Sequence, residues 1–559
     1  MTGFNGRNMT RRIKIGCVVI GIIGFGMLAF TGPGERYFDI AKSLDIFATL
    51  FKEVNAYYVD EVDPKKLIST SINGMLESLD PYTDYIPEEN LEAFSIQTTG
   101  QYAGIGALIG VVNKKTVVTE PYEGFPAYQA GLRVGDELIS VDGKNVQGKG
   151  TLESSALLKG KPKTAVEIVV KRVGQKDDMH FTIMREKIKI SNVVYQGMIG
   201  TDVGYIKLND FTPGAGKEVE DALVKLKEKG AAKIILDLRD NPGGLLYEAV
   251  NIVNIFLPKG LEVVNTKGKV QEWNKSYTTL NNSVDTEIPV AVLTSAGSAS
   301  ASEIVAGSLQ DYDRSIIVGQ RTFGKGLVQT TRQLAYNAQL KITTAKYYIP
   351  SGRCIQALDY THRKTDGSVE KFPDSLRSEF STKAGRKVYD GAGLEPDITV
   401  ADEFLGTVTA QLITSGLVFD YATLYCSEHA EIPLTLKGFS LSDAEYTRFV
   451  NWLKEKNFAY STDLEKQTDK LITAAKNERI YNDLQSQLTS IKMKIEQNHT
   501  TDLVRFKNEV KHILEEQIGF HYRLAAGQAE VSTDHDNEIR EAQKALADIG
   551  AYKKLLSPH

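Results

Sequence analysis

Cysteine is scarce in this sequence, which has 559 residues but only three cysteines, Cys17, Cys354 and Cys426. A small scaffold held together by several disulfides is therefore excluded. One bridge between Cys354 and Cys426 is conceivable in an exported protein. We expect instead that these two residues are unpaired thiols.

Long runs of like charge are also missing. The net charge is −5 at pH 7, and 25% of the residues are charged and 42% hydrophobic. This composition is ordinary for a globular protein, so no nucleic-acid partner is expected. The length predicts three or four domains of about 150 residues each.

Histidine is absent from the middle of the chain, between His180 and His362. A Ser-His-Asp triad in that interval would need a histidine from elsewhere. No His-Glu-x-x-His zinc motif occurs, and the Gly-x-Ser-x-Gly elbow of lipases is missing around Ser300. We therefore predict no metal and no cofactor.

The N-terminus has a pattern of its own. Arg11, Arg12 and Lys14 precede an apolar run from Ile15 to Phe30. This order is typical of an export signal, although the run is a little shorter than the roughly 20 residues of a spanning helix. Residues 1–34 are predicted to be a signal peptide or a membrane anchor. The body would then lie in the bacterial periplasm or on the extracytoplasmic face of the inner membrane.

Hydrophobic spacing divides the rest of the chain. Ile40, Leu44 and Phe47 recur at helical spacing, and Asp63-Pro64 marks a helix start. Short strands with a tight Asp142-Gly143 turn indicate a compact β-rich unit, and apolar strands alternating with helices indicate an α/β layer fold. The predicted regions are helices at 35–95, the β-rich unit at 96–188, the α/β core at 189–400 and a helical region at 401–559.

Individual elements of the core and of the helical region follow from the same patterns. Leu484, Leu488, Ile491 and Ile495 recur as in a helix hairpin or short coiled coil. We expect the helical region at 401–559 either to be a partner-docking or dimerisation module or to pack on the core. Core strands are predicted at Val203–Leu208, Lys233–Asp237, Val290–Thr294, Ser315–Val318 and Leu340–Tyr347, and core helices at Gly216–Lys229 and Leu245–Phe256.

Ser300 is a candidate nucleophile because it follows an apolar strand at the predicted start of a helix. Ser300 and Glu303 also match a capping box, in which both side chains merely satisfy free N–H groups. The two interpretations are compatible. A serine at a helix N-terminus lies beside a positive dipole end, and the N–H of Ala301 would then face an oxyanion.

Lys325 is the best candidate base near such a serine, because no histidine is available. The alternative is an ordinary exposed lysine. A lysine becomes a base only if desolvation lowers its pKa from about 10.4 to roughly 7–8. Gln329 lies four residues on and could orient the amine. The turn at Asn241-Pro242-Gly243-Gly244 offers N–H groups for an oxyanion, although such turns commonly join strands to helices.

These motifs together resemble the C-terminal processing peptidases, or tail-specific proteases, of the Ser-Lys type. The resemblance covers roughly residues 37–400. It includes a PDZ-like segment at Ala130-Gly131-Leu132-x-x-Gly135-Asp136, and Phe323-Gly324-Lys325-Gly326. It implies an α/β core of ββα units as in ClpP and crotonase folds, with an inserted PDZ domain, N-terminal helices and a C-terminal helical region.

The resemblance also implies roles for particular residues. Ser300 would be the nucleophile, Lys325 the general base and Gln329 the residue that orients it. Ala301 and Gly243 would supply the oxyanion hole, with Gly244 as the alternative to Gly243. Glu303 is expected to help position the site. The PDZ loop formed by Gly104, Ile105, Gly106 and Ala107 would bind the substrate's C-terminal carboxylate.

The implied function is a serine endopeptidase that recognises exported proteins by their free, nonpolar C-termini and cleaves near them. A homodimer or an adaptor protein is a further expected partner. The alternative from another class is a catalytically silent PDZ scaffold at the membrane surface that binds C-terminal peptides.

Overall fold

The computed structural model describes residues 34–364, 367–401 and 404–558. The predicted signal or anchor at Ile15–Phe30 lies outside the described residues. Within the described part of the chain, no helix is both long and apolar enough to cross a membrane. The chain divides into two compact units after Pro81.

The described residues of the first unit form two helices, as the sequence predicts. They are α1 (Gly34–Tyr57) and α2 (Pro64–Glu77). Asp63 caps α2, and its carboxylate accepts hydrogen bonds from the N–H groups of Lys65 and Lys66. Pro64 suits the first turn because its missing N–H would have no partner there.

The second unit starts with a short strand and a helix and continues into the β-rich unit. One sheet has the order β3-β4-β5-β7-β8, with β6 paired to β5, and a separate ladder joins β2 to β9. Thus β3 is an edge strand, and α5 packs beside it. The bounds are β1 (Asp84–Ile86), α3 (Leu91–Thr99), β2 (Gln101–Gly104), β3 (Ala107–Val112), β4 (Lys115–Pro121), α4 (Pro126–Gln129), β5 (Glu137–Val141), β6 (Lys144–Asn145), α5 (Thr151–Leu158), β7 (Ala165–Lys171), β8 (Met179–Met184) and β9 (Glu186–Lys189).

A six-stranded sheet forms the centre of the core, in the order β10-β11-β12-β15-β16-β23, where β23 is the short strand Ile398–Thr399. Strands β11 to β23 pair in parallel, and β10 pairs antiparallel with β11. The predicted strands and helices all form, with ends within one residue of prediction. The bounds are β10 (Val193–Ile199), β11 (Val203–Leu208), α6 (Ala215–Glu228), β12 (Lys233–Asp237), α7 (Leu246–Phe256), β13 (Glu262–Gly268), β14 (Lys275–Thr278), β15 (Val290–Thr294), α8 (Ala301–Asp311) and β16 (Ser315–Gly319).

Both faces of this sheet are covered, which explains why its strands are almost wholly apolar. One face packs on α6, α7 and α8 through side chains such as Leu236 and Val292. The opposite face, with Ile235 and Leu293, packs on residues 539–552 of the C-terminal region. The strands of this sheet are therefore fixed between two layers of helix.

A second sheet lies beside the central one and contains β1, β13, β14, β17 and β18. Two small hairpins, β19-β20 and β21-β22, follow in the chain. Cys354 and Cys426 are both unpaired thiols, as expected. The bounds are β17 (Leu327–Gln333), β18 (Gln339–Tyr348), β19 (Leu358–Arg363), β20 (Val369–Lys371), β21 (Glu379–Ser381), β22 (Lys387–Tyr389) and β23 (Ile398–Thr399).

The described residues from 404 to 558 are helical and contain no strand. Helices α12 and α13 pack together, and the predicted seam residues Leu488 and Ile495 are buried. The two helices form a hairpin, but the other two predicted seam residues, Leu484 and Ile491, are exposed. The bounds are α9 (Thr407–Thr414), α10 (Leu417–Glu428), α11 (Asp443–Glu455), α12 (Asp463–Asn477), α13 (Tyr481–Arg505), α14 (Lys507–Ser532), α15 (Asn537–Ala547) and α16 (Ile549–Leu555).

Candidate active site

Ser300 lies in the turn that joins β15 to α8, and its backbone conformation is unusual. Its φ is 55° and its ψ is −112°, a combination that L-residues rarely adopt. Such strain costs of order 1–3 kcal/mol and persists only where the surroundings enforce it. Here Ser302 Oγ donates to the Asn241 carbonyl at 2.9 Å, and Ser298 Oγ donates to the Leu238 carbonyl at 2.8 Å. These bonds fix the turn against the end of β12.

The glycine turn packs directly on the Ser300 turn. A Cβ at Gly243, whose φ is 93°, would lie only 2.7 Å from both Ala299 O and Ala301 N. Glycine is therefore required there by both sterics and backbone conformation. Ala301 occupies the first position of α8, so its N–H has no acceptor within the helix.

The Gly243 N–H donates to Asn241 Oδ1 at 2.9 Å, within its own turn. An oxyanion at this N–H would have to share it with Asn241 or displace the amide oxygen. Gly244, the predicted alternative donor, lines the same cleft. Gly243 thus packs on the Ser300 turn, whereas Gly244 packs on Phe211 in the wall of the cleft.

Lys325 lies in the loop between β16 and β17 and is half-buried. Its Nζ is 4.4 Å from the centre of the Tyr82 ring, which places the amine against an aromatic face. The flanking glycines allow close packing of this loop. A Cβ at Gly324 would lie 2.4 Å from Ala357 Cβ, and one at Gly326 would lie 2.9 Å from Gln356 N.

Gln329 faces the same cleft from β17. Its Nε2 donates to Thr343 Oγ1 at 3.1 Å, so the amide is anchored by its nitrogen. The Oε1 atom is then the part of the side chain suited to accept a hydrogen bond from an amine.

Glu303 is completely buried and connects the two key segments. Its Oε2 accepts hydrogen bonds from the N–H groups of both Ser300 and Lys325, each at 2.9 Å. Its Oε1 accepts from Thr322 Oγ1 at 2.5 Å and from Gly324 N at 2.8 Å. Burial raises the pKa of this carboxyl group, and the four hydrogen bonds oppose that rise. The predicted capping residue is thus also a clamp between the Ser300 turn and the Lys325 loop.

Tyr347 provides a second connection, which the sequence patterns did not reveal. Its buried hydroxyl lies within hydrogen-bond distance of the carbonyls of Lys325 and, at 3.2 Å, Ser300. Burial raises the pKa of this phenol well above its usual value. The hydroxyl therefore stays protonated and able to donate.

A cleft of about 450 Å³ contains the predicted catalytic residues. Its remaining walls come from α3, from the loop before α6 and from β17 and β18, and they include apolar side chains. The PDZ-loop residues do not line this cleft. The predicted site residues that line it are Gly243, Gly244, Ser300, Ala301, Lys325 and Gln329.

The PDZ loop joins β2 to β3, at the edge of the β-rich unit. Ile105 is buried in that unit's core, with 1% of its surface exposed, so only its backbone is available to a ligand. Burial raises the pKa of Tyr102 to about 12, against hydrogen bonds from the N–H groups of Ala107 and Gly106. In this structure the Tyr102 hydroxyl therefore lies beside the N–H groups that the resemblance assigns to a carboxylate.

Arg239 is a further residue that the sequence reasoning missed. It forms a bidentate contact with buried Asp237 at the end of β12. Its other side reaches Asp536 at 2.7 Å and Glu538 at 3.0 Å. Burial would raise the pKa of Asp237, but the charges of Arg239 and Lys207 hold it well below the usual value. The strand before the glycine turn is thus tied to α15.

Known proteins with similar sequences identify the family. Residues 202–362 match peptidase family S41, residues 117–172 match a PDZ domain, and residues 408–546 match the C-terminal helical domain of probable PDZ-proteases. A carboxy-terminal-processing protease of Bartonella bacilliformis is 37% identical over 324 residues, which span 57% of this chain and 74% of that protein. The chain belongs to peptidase family S41.

Two further proteases are also similar to this chain. A probable CtpA-like serine protease of Staphylococcus aureus strain N315 is 38% identical over 56% of this chain and 62% of its own length. The solved photosystem II D1 C-terminal processing protease is 28% identical over 65% of this chain and 94% of its own, with a TM-score of 0.33. This S41 peptidase is a serine peptidase of the carboxy-terminal-processing kind, with a PDZ domain and a C-terminal helical domain.

Proposed function

We propose that this S41 peptidase cleaves proteins near their C-termini with Ser300 as nucleophile and Lys325 as general base. The observation that carries the proposal is the shared oxygen of Glu303. Because Oε2 accepts from the N–H groups of both residues, their backbones are held in one fixed relation within the cleft. Nucleophile and base require such preorganisation.

In the proposed reaction, neutral Lys325 accepts the proton of the Ser300 hydroxyl as Oγ attacks the substrate carbonyl. The Ala301 N–H and an N–H of the glycine turn stabilise the oxyanion. The intermediate collapses to an acyl-enzyme as the amine leaves with a proton from Lys325. Water, deprotonated by Lys325, then releases the acid product. Gln329 Oε1 orients the side-chain amine of Lys325 during both acylation and deacylation.

Ser300→Ala and Lys325→Ala test these roles on an unfolded protein substrate, with cleavage followed by mass spectrometry. Both variants should lose activity by 10³-fold or more. Lys346→Ala is the matched control, because Lys346 is exposed on β18 opposite Leu327 and does not line the cleft. Full activity in either cleft variant would contradict the assignment, and failure of the wild type to cleave would support the catalytically silent scaffold.

We infer that the PDZ domain binds the free, nonpolar C-termini of substrates. Strand β3 is an edge strand beside α5, which suits addition of a peptide strand. Exposed Leu108 and Leu152 offer apolar contacts to a nonpolar end. A peptide with a free C-terminal carboxylate should bind at least tenfold more tightly than its C-terminal amide in a fluorescence anisotropy assay. Equal affinities would exclude carboxylate recognition.

We also propose that the peptidase acts outside the cytoplasm, in the periplasm or at the outer face of the inner membrane. The basic residues before the apolar run at 15–30 support this orientation. Protease added to intact spheroplasts should degrade the protein, whereas a cytoplasmic marker should survive. Protection of both proteins would contradict the proposal.

A further inference from the structure

Helix α14 is broken near its middle, and the break brings distant residues together. Arg523 and Leu524 have non-helical backbone angles, and Leu524 has φ 53° and ψ −146°. Beyond the break the chain folds back on itself. A Cβ at Gly519 would lie 2.7 Å from Gly527 O, and one at Gly527 would lie 2.1 Å from Gly519 O. The two halves of α14 therefore pack as a tight hairpin in which residues 519 and 527 face each other.

The register of this hairpin places His535 opposite His512. Residues at similar distances from the 519–527 contact meet across a hairpin, and His512 lies seven residues before Gly519 while His535 lies eight after Gly527. The segment after α14 thus returns to the first half of the helix. The two imidazole rings lie edge to face with their centroids 4.8 Å apart. One ligating atom each from His512, Glu515 and His535 lies within 4.8 Å of the others. Two imidazoles and a carboxylate at one point are the donor set of a transition-metal site.

Neighbouring groups prepare two of these side chains for a cation. Glu516 Oε1 lies 2.9 Å from His512 Nε2, so a proton on Nε2 would be shared with that carboxylate. Nδ1 would then carry the lone pair that a metal needs, in the carboxylate–histidine–metal arrangement common in proteins. Glu515 is buried, and its Oε1 accepts from Ser440 Oγ at 2.9 Å and Leu441 N at 2.7 Å. Its Oε2 is the oxygen left to coordinate.

We propose that His512, Glu515 and His535 bind a divalent transition metal of the zinc class. In a tetrahedral site with bonds of about 2.1 Å, ligand atoms lie about 3.4 Å apart. The ligand atoms, which now lie within 4.8 Å of one another, must therefore approach by up to about 1.4 Å, which rotation of the exposed His535 side chain can supply. A water molecule completes the coordination. Nitrogen donors favour Zn²⁺, Co²⁺ or Ni²⁺ over Mg²⁺ and Ca²⁺.

The position of the site gives the metal a structural role. His535 directly precedes Asp536, whose carboxylate caps α15 at Ile539 N and also pairs with Arg239. A metal at His535 would fix the start of α15 to the α14 hairpin. This role does not depend on the catalytic assignments, because none of the ligands lines the catalytic cleft.

The test uses the full chain with a tag that contains no histidine, stripped with EDTA and titrated with ZnCl2 by calorimetry. We expect one equivalent to bind and, at about 100 times Kd, the Tm of the helical domain to rise by about 5 °C. Co²⁺ should give the visible absorption band of tetrahedral coordination, and Mg²⁺ should have no effect. Retention of zinc after dialysis, measured by elemental analysis, gives an independent stoichiometry.

His535→Ala should reduce zinc affinity at least 100-fold and abolish the Tm rise, with an unchanged circular dichroism spectrum. His362→Ala is the matched control, because the His362 side chain is 86% exposed and belongs to the peptidase domain rather than to the helical domain. It should behave as the wild type does. Failure of the wild type to bind zinc, or equal binding by His535→Ala, would overturn the proposal.

Discussion

Replacing Glu303 with glutamine should reduce catalysis by weakening the hydrogen bonds that hold the backbone of the Ser300 turn and of the Lys325 loop. The amide of the new glutamine can be placed in two orientations. The more favourable one keeps its oxygen toward the N–H groups of Ser300 and Lys325, and its NH2 group then faces the Gly324 N–H. Two donors then face each other, and a buried unsatisfied N–H costs about 1–3 kcal/mol. Loss of the charge also weakens the remaining hydrogen bonds by about 1 kcal/mol each. The loop that carries the proposed base is therefore destabilised by a total of about 3–5 kcal/mol.

We expect kcat to fall about 100-fold, which corresponds to about 2.7 kcal/mol of that total, and KM to change little. The assay is the initial rate of cleavage of a quenched fluorescent substrate, with thermal unfolding measured on the same samples. Glu248→Gln is the matched control, because Glu248 is also buried and accepts from the backbone N–H groups of Gly214 and Gly216. It should lose comparable stability but keep kcat within about threefold. Equal kcat losses in the two variants would refute a specific positioning role for Glu303.

Three further predictions concern other parts of the molecule. Tyr102→Phe removes the hydroxyl from the PDZ loop and should raise affinity for a carboxylate-ended peptide about fivefold; calorimetry showing equal or weaker binding would contradict this. Arg239→Gln removes the bidentate partner of the buried Asp237 charge and leaves it only Lys207, at 3.8 Å, as a counter-charge. The change should cost about 3 kcal/mol of stability in urea unfolding, and a loss below about 1 kcal/mol would argue against the link to α15. Burial lowers the pKa of His521 from 6.5 to about 4, so between these pH values the unfolded chain binds a proton that the folded chain does not. Stability present above pH 6.5 should therefore fall by about 3 kcal/mol as the pH approaches 4, and His521→Gln should show a smaller fall.

The strands of the core could be predicted closely because burial on both faces leaves a simple apolar signal. Val203–Leu208 and Val290–Thr294 form as predicted. Ser300 and Lys325 could be singled out because the chain offers no histidine nearby and because their flanking small residues are distinctive. The sequence could not give the relation between them, which depends on the packing of the β16–β17 loop against α8.

Contacts between distant residues account for what the sequence did not reveal. Glu303 was recognisable as a cap from its spacing to Ser300, but its bonds to the Lys325 loop need the folded chain. Arg239 and Glu538 are 299 residues apart, and no local pattern connects them. The break at Leu524 involves neither proline nor glycine, so the hydrophobic spacing gives no sign that the helix is interrupted there.

The covering of the central sheet by α15 and α16 has a consequence for biosynthesis. These helices are translated after the serine turn, the lysine loop and the glycine turn, yet they cover the sheet face that carries Ile235 and Leu293. They also supply the carboxylates that hold Arg239 in place. A nascent chain that has reached Lys325 but not residue 537 therefore has its apolar sheet face uncovered and its glycine turn untethered. We therefore expect proteolytic competence to arise only after α15 and α16 have been synthesised and have packed on the sheet.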